Sequence, residues 1–306
     1  ANISESPKQA GLVYVGTDDG LIQITENGGD SWRKIPVSEL GAPATAYVND
    51  IKADLYDVNT VYACLDNHKF GDYKAYFFKS NDKGKSWKKM TKNLPDTTMV
   101  WRMVQDHVNK DLLFLATEFG IYTSLNGGKK WAQLKNGLPT ISFRDLAIQK
   151  RENDLVAASF GRGFYILDDY SPLREVNDEN LSSEAHLFSI KDAWWYIPRR
   201  VLGYGKKGSQ GAGHFVAPNP DFGATITYHL EQDYKSLNNQ RKDTEKKLKG
   251  GDIPFPGWEA LEREKMEQKP SVFLVIRNSE GEVVRRVNCP AKKGIHRVTW
   301  DLRYPY

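Results

Sequence analysis

The chain has 306 residues, enough for two domains of ordinary size, and 43 basic against 39 acidic residues leave a net charge of +4. That near balance excludes a general nucleic-acid footprint, which needs basic residues gathered on one face. Hydrophobic residues make up 40% of the chain at a mean hydropathy of −0.60, and no run approaches the ~18 apolar residues of a spanning helix, so a soluble protein with real cores is expected.

The opening Ala1-Asn2-Ile3-Ser4-Glu5 carries neither an initiator Met nor an apolar leader, and a leader is expected to have been removed or left out. Three segments then align: "LVYVGTDDGLIQITENGGDSWRKI", "TVYACLDNHKFGDYKAYFFKSNDKGKSWKKM" and "LLFLATEFGIYTSLNGGKKWAQL". Each reads as a β-rich strand, a turn at Gly, a second strand, an eight-residue turn, and a strand opening at Trp. The insertion "NHKFGDYKA" lengthens the second unit, and a fourth, "DLVAASFGRGFYILDD", lacks the eight-residue turn. Between units lie the short strands "VNDIKAD", "VWRMVQDH" and "FRDLAIQK". About four strands per ~45 residues is the period of β-propeller blades. The expected fold is all-β: about three and a half such blades over residues 1–172, then a different domain over 173–306.

The eight-residue turns resemble the Asp-box, or bacterial neuraminidase repeat, Ser/Thr-x-Asp-x-Gly-x-Thr/Ser-Trp. Ser80, Asp82, Gly84, Ser86 and Trp87 match every position, whereas Thr25, Asn27, Gly29, Ser31 and Trp32 match with Asn for Asp. The third box keeps Ser124, Asn126, Gly128 and Trp131 but has Lys130 where the hydroxyl belongs. With "FGRGFYILDD", "APNPDFGATITYHL" and "GIHRVTWDLRYP", the chain is similar over nearly its whole length to the sortilin-like, "glycosyl hydrolase, BNR repeat" proteins of bacteria. That resemblance implies the C-terminal portion of a larger propeller protein with protein or peptide ligands. It also implies export to a bacterial periplasm, outer membrane or cell surface. The partner would include the rest of its own propeller or another subunit, because an unclosed run of blades exposes the faces of its first and last sheets.

Past Tyr170 the pattern breaks. "GYGKKGSQGAGHFVAPNPD" is Gly/Pro-rich loop, and "GATITYHL", "SVFLVIRNSEGEVVRRV" and "IHRVTWDL" read as strands of an immunoglobulin- or fibronectin-type sandwich. Asn278 to Gly281 is its hairpin turn. Leu230, Tyr234, Leu237, Thr244 and Leu248 fall at helical spacing, and a second helix is expected over Trp258 to Gln268, so a helical hairpin occupies about 231–268.

Each residue type of the box has a structural use. The Asn or Asp side chain accepts backbone N–H bonds, Gly supplies positive φ, and Trp is expected to bury its ring between neighbouring sheets. Calcium is the alternative occupant, although one carboxylate per box is few for a tight oxygen site. No cofactor or metal is otherwise expected: Cys64 and Cys289 fall in different domains as buried thiols, and the histidines show no ligand spacing.

If the box joins the third and fourth strands of a blade, the opposite end carries the second-to-third turns and the connections entering the inner strands. Asp19, Glu118, Phe119, Phe160 and Arg162 lie in those turns, and Asn49, Arg102 and Arg144 at equivalent inner-strand starts. The ligand face is therefore expected to display Asp19, Arg102, Glu118, Phe119, Arg144, Phe160 and Arg162. Three arginines invite comparison with the carboxylate clamp of sialidases, which also need a Tyr nucleophile with a Glu partner, but no Arg-Ile-Pro motif occurs, and adjacent Asp168 and Asp169 would point to opposite faces of a strand. No catalytic residue is therefore assigned. The GxGxxG string at Gly203 to Gly208 follows no buried strand and is read as loop, and Trp194-Trp195-Tyr196 as junction packing rather than a sugar platform. The expected function is a non-catalytic exported binding scaffold for protein or peptide, with a glycan as the other ligand class. A carbohydrate-active, sialidase-like hydrolase with most catalytic residues outside this chain is the alternative.

Overall fold

A computed structural model describes residues 2–197, 217–248, 251 and 253–304, in two compact units, Ala1–Arg174 and Glu175–Tyr306. The Gly203 to Gly208 string and His214 lie outside the described residues.

The first unit is built from successive antiparallel meanders. β1 (Asn2–Glu5), β2 (Val13–Gly16), β3 (Leu21–Thr25) and β4 (Arg33–Pro36) form one sheet in chain order. β5 (Tyr47–Ala53), β6 (Val61–Asn67), β7 (Asp72–Ser80) and β8 (Lys88–Lys89) form the second. β9 (Val100–Gln105), β10 (Leu113–Thr117), β11 (Gly120–Ser124) and β12 (Ala132–Leu134) form the third. β13 (Phe143–Gln149), β14 (Asp154–Ser159) and β15 (Phe164–Leu167) make a three-stranded fourth. The leading strands β1, β5, β9 and β13 neighbour one another in series, which is the blade arrangement of a β-propeller.

Burial explains the strand sequences. Every residue of β6 and β10 is buried, because alternate side chains enter different cores. Val61, Ala63 and Leu65 join Leu12, Tyr14, Ile22 and Ile24 of the first sheet. Tyr62 and Cys64 point the other way, into a core with Met103, Leu113, Leu115 and Trp131. Phe114 and Ala116 then meet Phe143, Leu146, Leu155 and Ala157 in a third core. In the terminal sheets β2 and β14 alternate between buried and half-buried residues, because only one face is covered.

The three boxes fold alike. The Thr25 hydroxyl accepts from the Gly29 N–H at 2.9 Å, Ser80 from Gly84 at 2.8 Å and Ser124 from Gly128 at 2.9 Å. The next acceptor is Oδ1 of Asn27, Asp82 or Asn126, which takes the N–H of Ser31, Ser86 or Lys130 at 3.0, 2.8 and 2.9 Å. Lys130 is tolerated because the turn requires its backbone, not its side chain. Each later box packs on the preceding sheet. Arg33 of β4 donates to the carbonyls of Lys83 and Gly84, and the Trp131 indole donates to Met90 O at 2.8 Å beside Phe77 of β7. Trp131 is buried and Trp87 half-buried, but Trp32 is 43% exposed, contrary to the expectation that all three rings wedge between sheets. Its turn is intact; among the described residues no sheet precedes the first for it to pack against.

In the second unit α1 (Asp178–Ser182) precedes β16 (Ala185–Leu187), which pairs with β17 (Ala224–Leu230), itself paired with β20 (Gly294–Trp300). β18 (Val272–Arg277) and β19 (Val283–Cys289) form a separate hairpin closed at Asn278 to Gly281. Tyr228, Leu230 and Cys289 centre its core, with Val272, Leu274, Val287 and Val298 against them. α2 (Leu237–Glu245) and α3 (Trp258–Met266) lie between β17 and β18. The helix expected from Leu230 is corrected: Leu230 closes β17 opposite Gly294, and α2 begins only after the Ser236 cap. Neither helix buries a residue; Arg241 of α2 joins them by donating to both Glu264 oxygens.

Candidate functional site

The end of the first unit opposite the boxes is organised by one bulge repeated three times. The β5–β6 register shifts between Val48 and Asp50, the β9–β10 register passes over Trp101, and the β13–β14 register shifts between Phe143 and Asp145. Asn49, Trp101 and Arg144 are thus the extra residues at matching positions, and such bulges re-aim side chains at the ends of sheets. This corrects the sequence equivalence: Trp101, not Arg102, stands with Asn49 and Arg144. The alignment of "VNDI", "VWRM" and "FRDL" carries that signal, but the arginines drew the register one residue off.

Asp50, Arg102 and Asp145 follow the three bulges. Arg102 Nη1 donates to Asp50 Oδ1 at 3.0 Å and to Asn49 O at 3.1 Å, and its Nε lies 3.6 Å from Asp145 Oδ1. Asp50 is fully buried; its Oδ2 accepts the Met103 N–H at 3.0 Å, and Lys52 stands 3.7 Å away. Burial pushes the Asp50 carboxyl above the usual range and outweighs the opposing pull of Lys52, Met103 and Arg102. The Asn49 side-chain amide nitrogen is buried and has no hydrogen-bond partner among the described residues.

The bulged residues of β9 and β13 meet. The Arg144 guanidinium lies 3.7 Å from the Trp101 ring centre and 5.3 Å from that of Phe160. Glu118, in the β10–β11 turn, ties the group together: its Oε2 accepts from Trp101 Nε1 at 3.0 Å and from Ser142 Oγ at 2.8 Å, and stands 3.6 Å from Arg144 Nη2. On another side of Trp101 the His68 ring sits edge-on at 5.6 Å, with its Nδ1 bonded to Asp66.

Of the predicted face, the structure brings together Glu118, Arg144 and Phe160, whereas Arg102 joins Asn49, Asp50 and Asp145. Phe119 is 48% exposed and lines a groove of about 440 Å³ with Thr97, Gln133, Leu138 and Pro139. Asp19 hydrogen-bonds Thr17 within its own turn, and Arg162 is exposed in the β14–β15 turn. Sequence reasoning missed Trp101, Ser142, Asp50, Asp145, Asp66 and His68. At the other end, both oxygens of Asp82 serve the box: Oδ1 accepts from Ser80 Oγ and Ser86 N, and Oδ2 from Ser86 Oγ at 2.6 Å. A cation there would compete with these donors.

No family model matches the chain, and no curated protein matches it. Among solved structures it is similar to a GH74 enzyme of Niastella koreensis, at 13% identity and a TM-score of 0.45, over 56% of this chain and 28% of that one. The GH74 xyloglucanase of Xanthomonas campestris gives 14% identity and a TM-score of 0.40, over 52% of this chain and 26% of that one. YCF48 bound to D1 peptide gives 16% and 0.41, over 55% and 51%. The chain thus spans about a quarter to a half of the length of these proteins.

Proposed function

We propose that this chain is a non-catalytic binding scaffold whose ligand, a protein or peptide, engages the bulged end of the β1–β15 unit. The observation that carries the reading is the set of three equivalent bulges at Asn49, Trp101 and Arg144, of which the latter two meet beside Glu118 and the 71% exposed Phe160. Conserving such irregularity through three blades costs ladder hydrogen bonds, and a shared recognition surface accounts for it. A xyloglucanase and a peptide-bound protein both stand among the similar structures, so a glycan remains the other ligand class. The boxes act as latches between sheets, with calcium as an optional occupant of Asp82. The resemblance to sortilin-like exported proteins supports a periplasmic, outer-membrane or cell-surface setting. Uncovered faces on the first and fourth sheets suit the rest of its own propeller or another subunit. The sheets β16–β17–β20 and β18–β19 suit an immunoglobulin-type sandwich bearing the α2–α3 hairpin.

The second reading is a sialidase-like or other glycoside hydrolase, which needs two carboxyls facing one substrate. Asp50 has the raised pKa such chemistry uses, but its full burial beneath Arg102 denies it a substrate. Peptide and glycan arrays probed with the protein, alongside reducing-sugar release from a polysaccharide panel, separate the readings. Peptide binding without sugar release is expected; turnover would overturn the scaffold assignment.

A further inference from the structure

Resting on that reading of the bulged end as a peptide face, we propose that Arg144 captures a side-chain carboxylate of the ligand beside an apolar residue that lies on Phe160. Arg144 differs from Arg102 in how its hydrogen-bonding capacity is used. Arg102 is committed to Asp50 and Asn49 and faces Asp145. Arg144 is fixed by stacking instead, over Trp101 and near Phe160, and stacking occupies the faces of a guanidinium, not its N–H edges. Among the described residues none accepts a hydrogen bond from Arg144, and its charged neighbour Glu118 stands 3.6 Å away, its Oε2 already serving Trp101 and Ser142. A planar fork that is held in place, 40% exposed and paired with Glu118 only at ion-pair distance matches a carboxylate, which it can take through two parallel N–H···O bonds.

Two further features set the ligand class. Trp101 is buried and anchored through its indole N–H, so the stacking surface under Arg144 does not depend on the ligand for its position. Phe160 is 71% exposed next to it and offers apolar contact. An acidic residue flanked by a large apolar one in an extended peptide meets both groups. A strongly anionic ligand fits less well, because Asp145 is 65% exposed nearby and Glu118 adjoins the guanidinium.

The test is an array of C-terminally amidated peptides in which each sequence with a Phe-Glu or Leu-Asp step sits beside its Gln or Asn counterpart. Isothermal titration with the best pair then gives affinities. Acidic members are expected to bind at least about tenfold tighter than their amide counterparts, the range of a hydrogen bond to a charged group. Arg144→Lys should lose that preference as Arg144→Gln does, because a point charge does not replace the fork. Phe160→Ala, a change at an exposed side chain that leaves the cores untouched, should weaken both members of a pair. Lys85→Gln, which removes the same charge at the box end, should leave binding unchanged. Melting curves of the variants separate lost binding from lost folding, and Phe160→Ala keeps the idea falsifiable if Arg144 variants do not fold. Equal binding of acidic and amide members, or loss with Lys85→Gln equal to that with Arg144→Gln, overturns the carboxylate assignment while leaving the peptide face standing. Absence of binding to every peptide overturns both.

Discussion

At the second box Asp82 accepts from Ser80 and Ser86, and these hydrogen bonds, the Ser86 hydroxyl foremost, hold its carboxyl down at about 2. A carboxyl lowered in the folded state stabilises the fold above its unfolded value of about 3.9, and that contribution fades as pH falls through the folded value. The chain contains its own control, since Asn27 and Asn126 do the same work with an amide oxygen. Asp82→Asn is therefore expected to change stability at pH 7 by no more than about 0.5 kcal/mol, the range of ordinary surface substitutions. It should also flatten the decline between pH 4 and pH 2 that wild type shows in urea titrations. Asp82→Ala removes the acceptor for Ser86 N–H altogether and should cost about 1 kcal/mol. Equal effects of Asn and Ala would mean that the charge, not the acceptor, holds the turn.

Among the elements, β8 and β12 and the boxes before them act as a coupling to the preceding sheet, and the three tryptophans report how far such coupling is satisfied. Trp131→Ala removes a buried ring set edge-on to Phe77 and its bond to Met90 O, and should cost about 3–5 kcal/mol. Trp32→Ala, at a 43% exposed ring, should cost about 1 kcal/mol or less in the same urea unfolding experiment. Comparable losses would refute the layered packing. How much of this was legible follows from where the information sits. The boxes could be read because every position serves its own turn, and β6 and β10 because two-sided burial writes a continuous apolar run. Trp32 could not be placed, since its environment depends on a sheet the local pattern does not contain. Likewise the bulges insert a residue without altering composition, so the sequence pattern aligns Arg102 with Arg144 although Trp101 holds that position. Leu230 and Tyr234 kept helical spacing by coincidence; pairing with β20 decided the former as strand.

For the molecule as a whole, the unit formed by β1–β15 covers both faces of its second and third sheets and one face of each outer sheet. On the first sheet Ile3 is 69% exposed, and on the fourth Phe164 and Ile166 are 76% and 57% exposed, with β15 at its sheet's edge. Apolar surface beside an unpaired strand edge promotes association of chains, both through desolvated area and through free backbone groups. Phe164 and Ile166 alternate with Tyr165 and Leu167, which face the third core, so the pair can be changed without opening that core. The chain alone is expected to self-associate in light scattering as its concentration rises. Phe164→Glu with Ile166→Glu should lower the average mass while leaving the urea midpoint of the remaining sheets near that of wild type. Adding charge to the strand acts in two ways, since it removes apolar area and repels a second copy brought edge to edge. A wild-type chain that stays monomeric at every concentration would show that these faces need no cover. Association that persists in the double variant would move the contact to the β1–β4 face, where Trp32→Glu is the next substitution to measure.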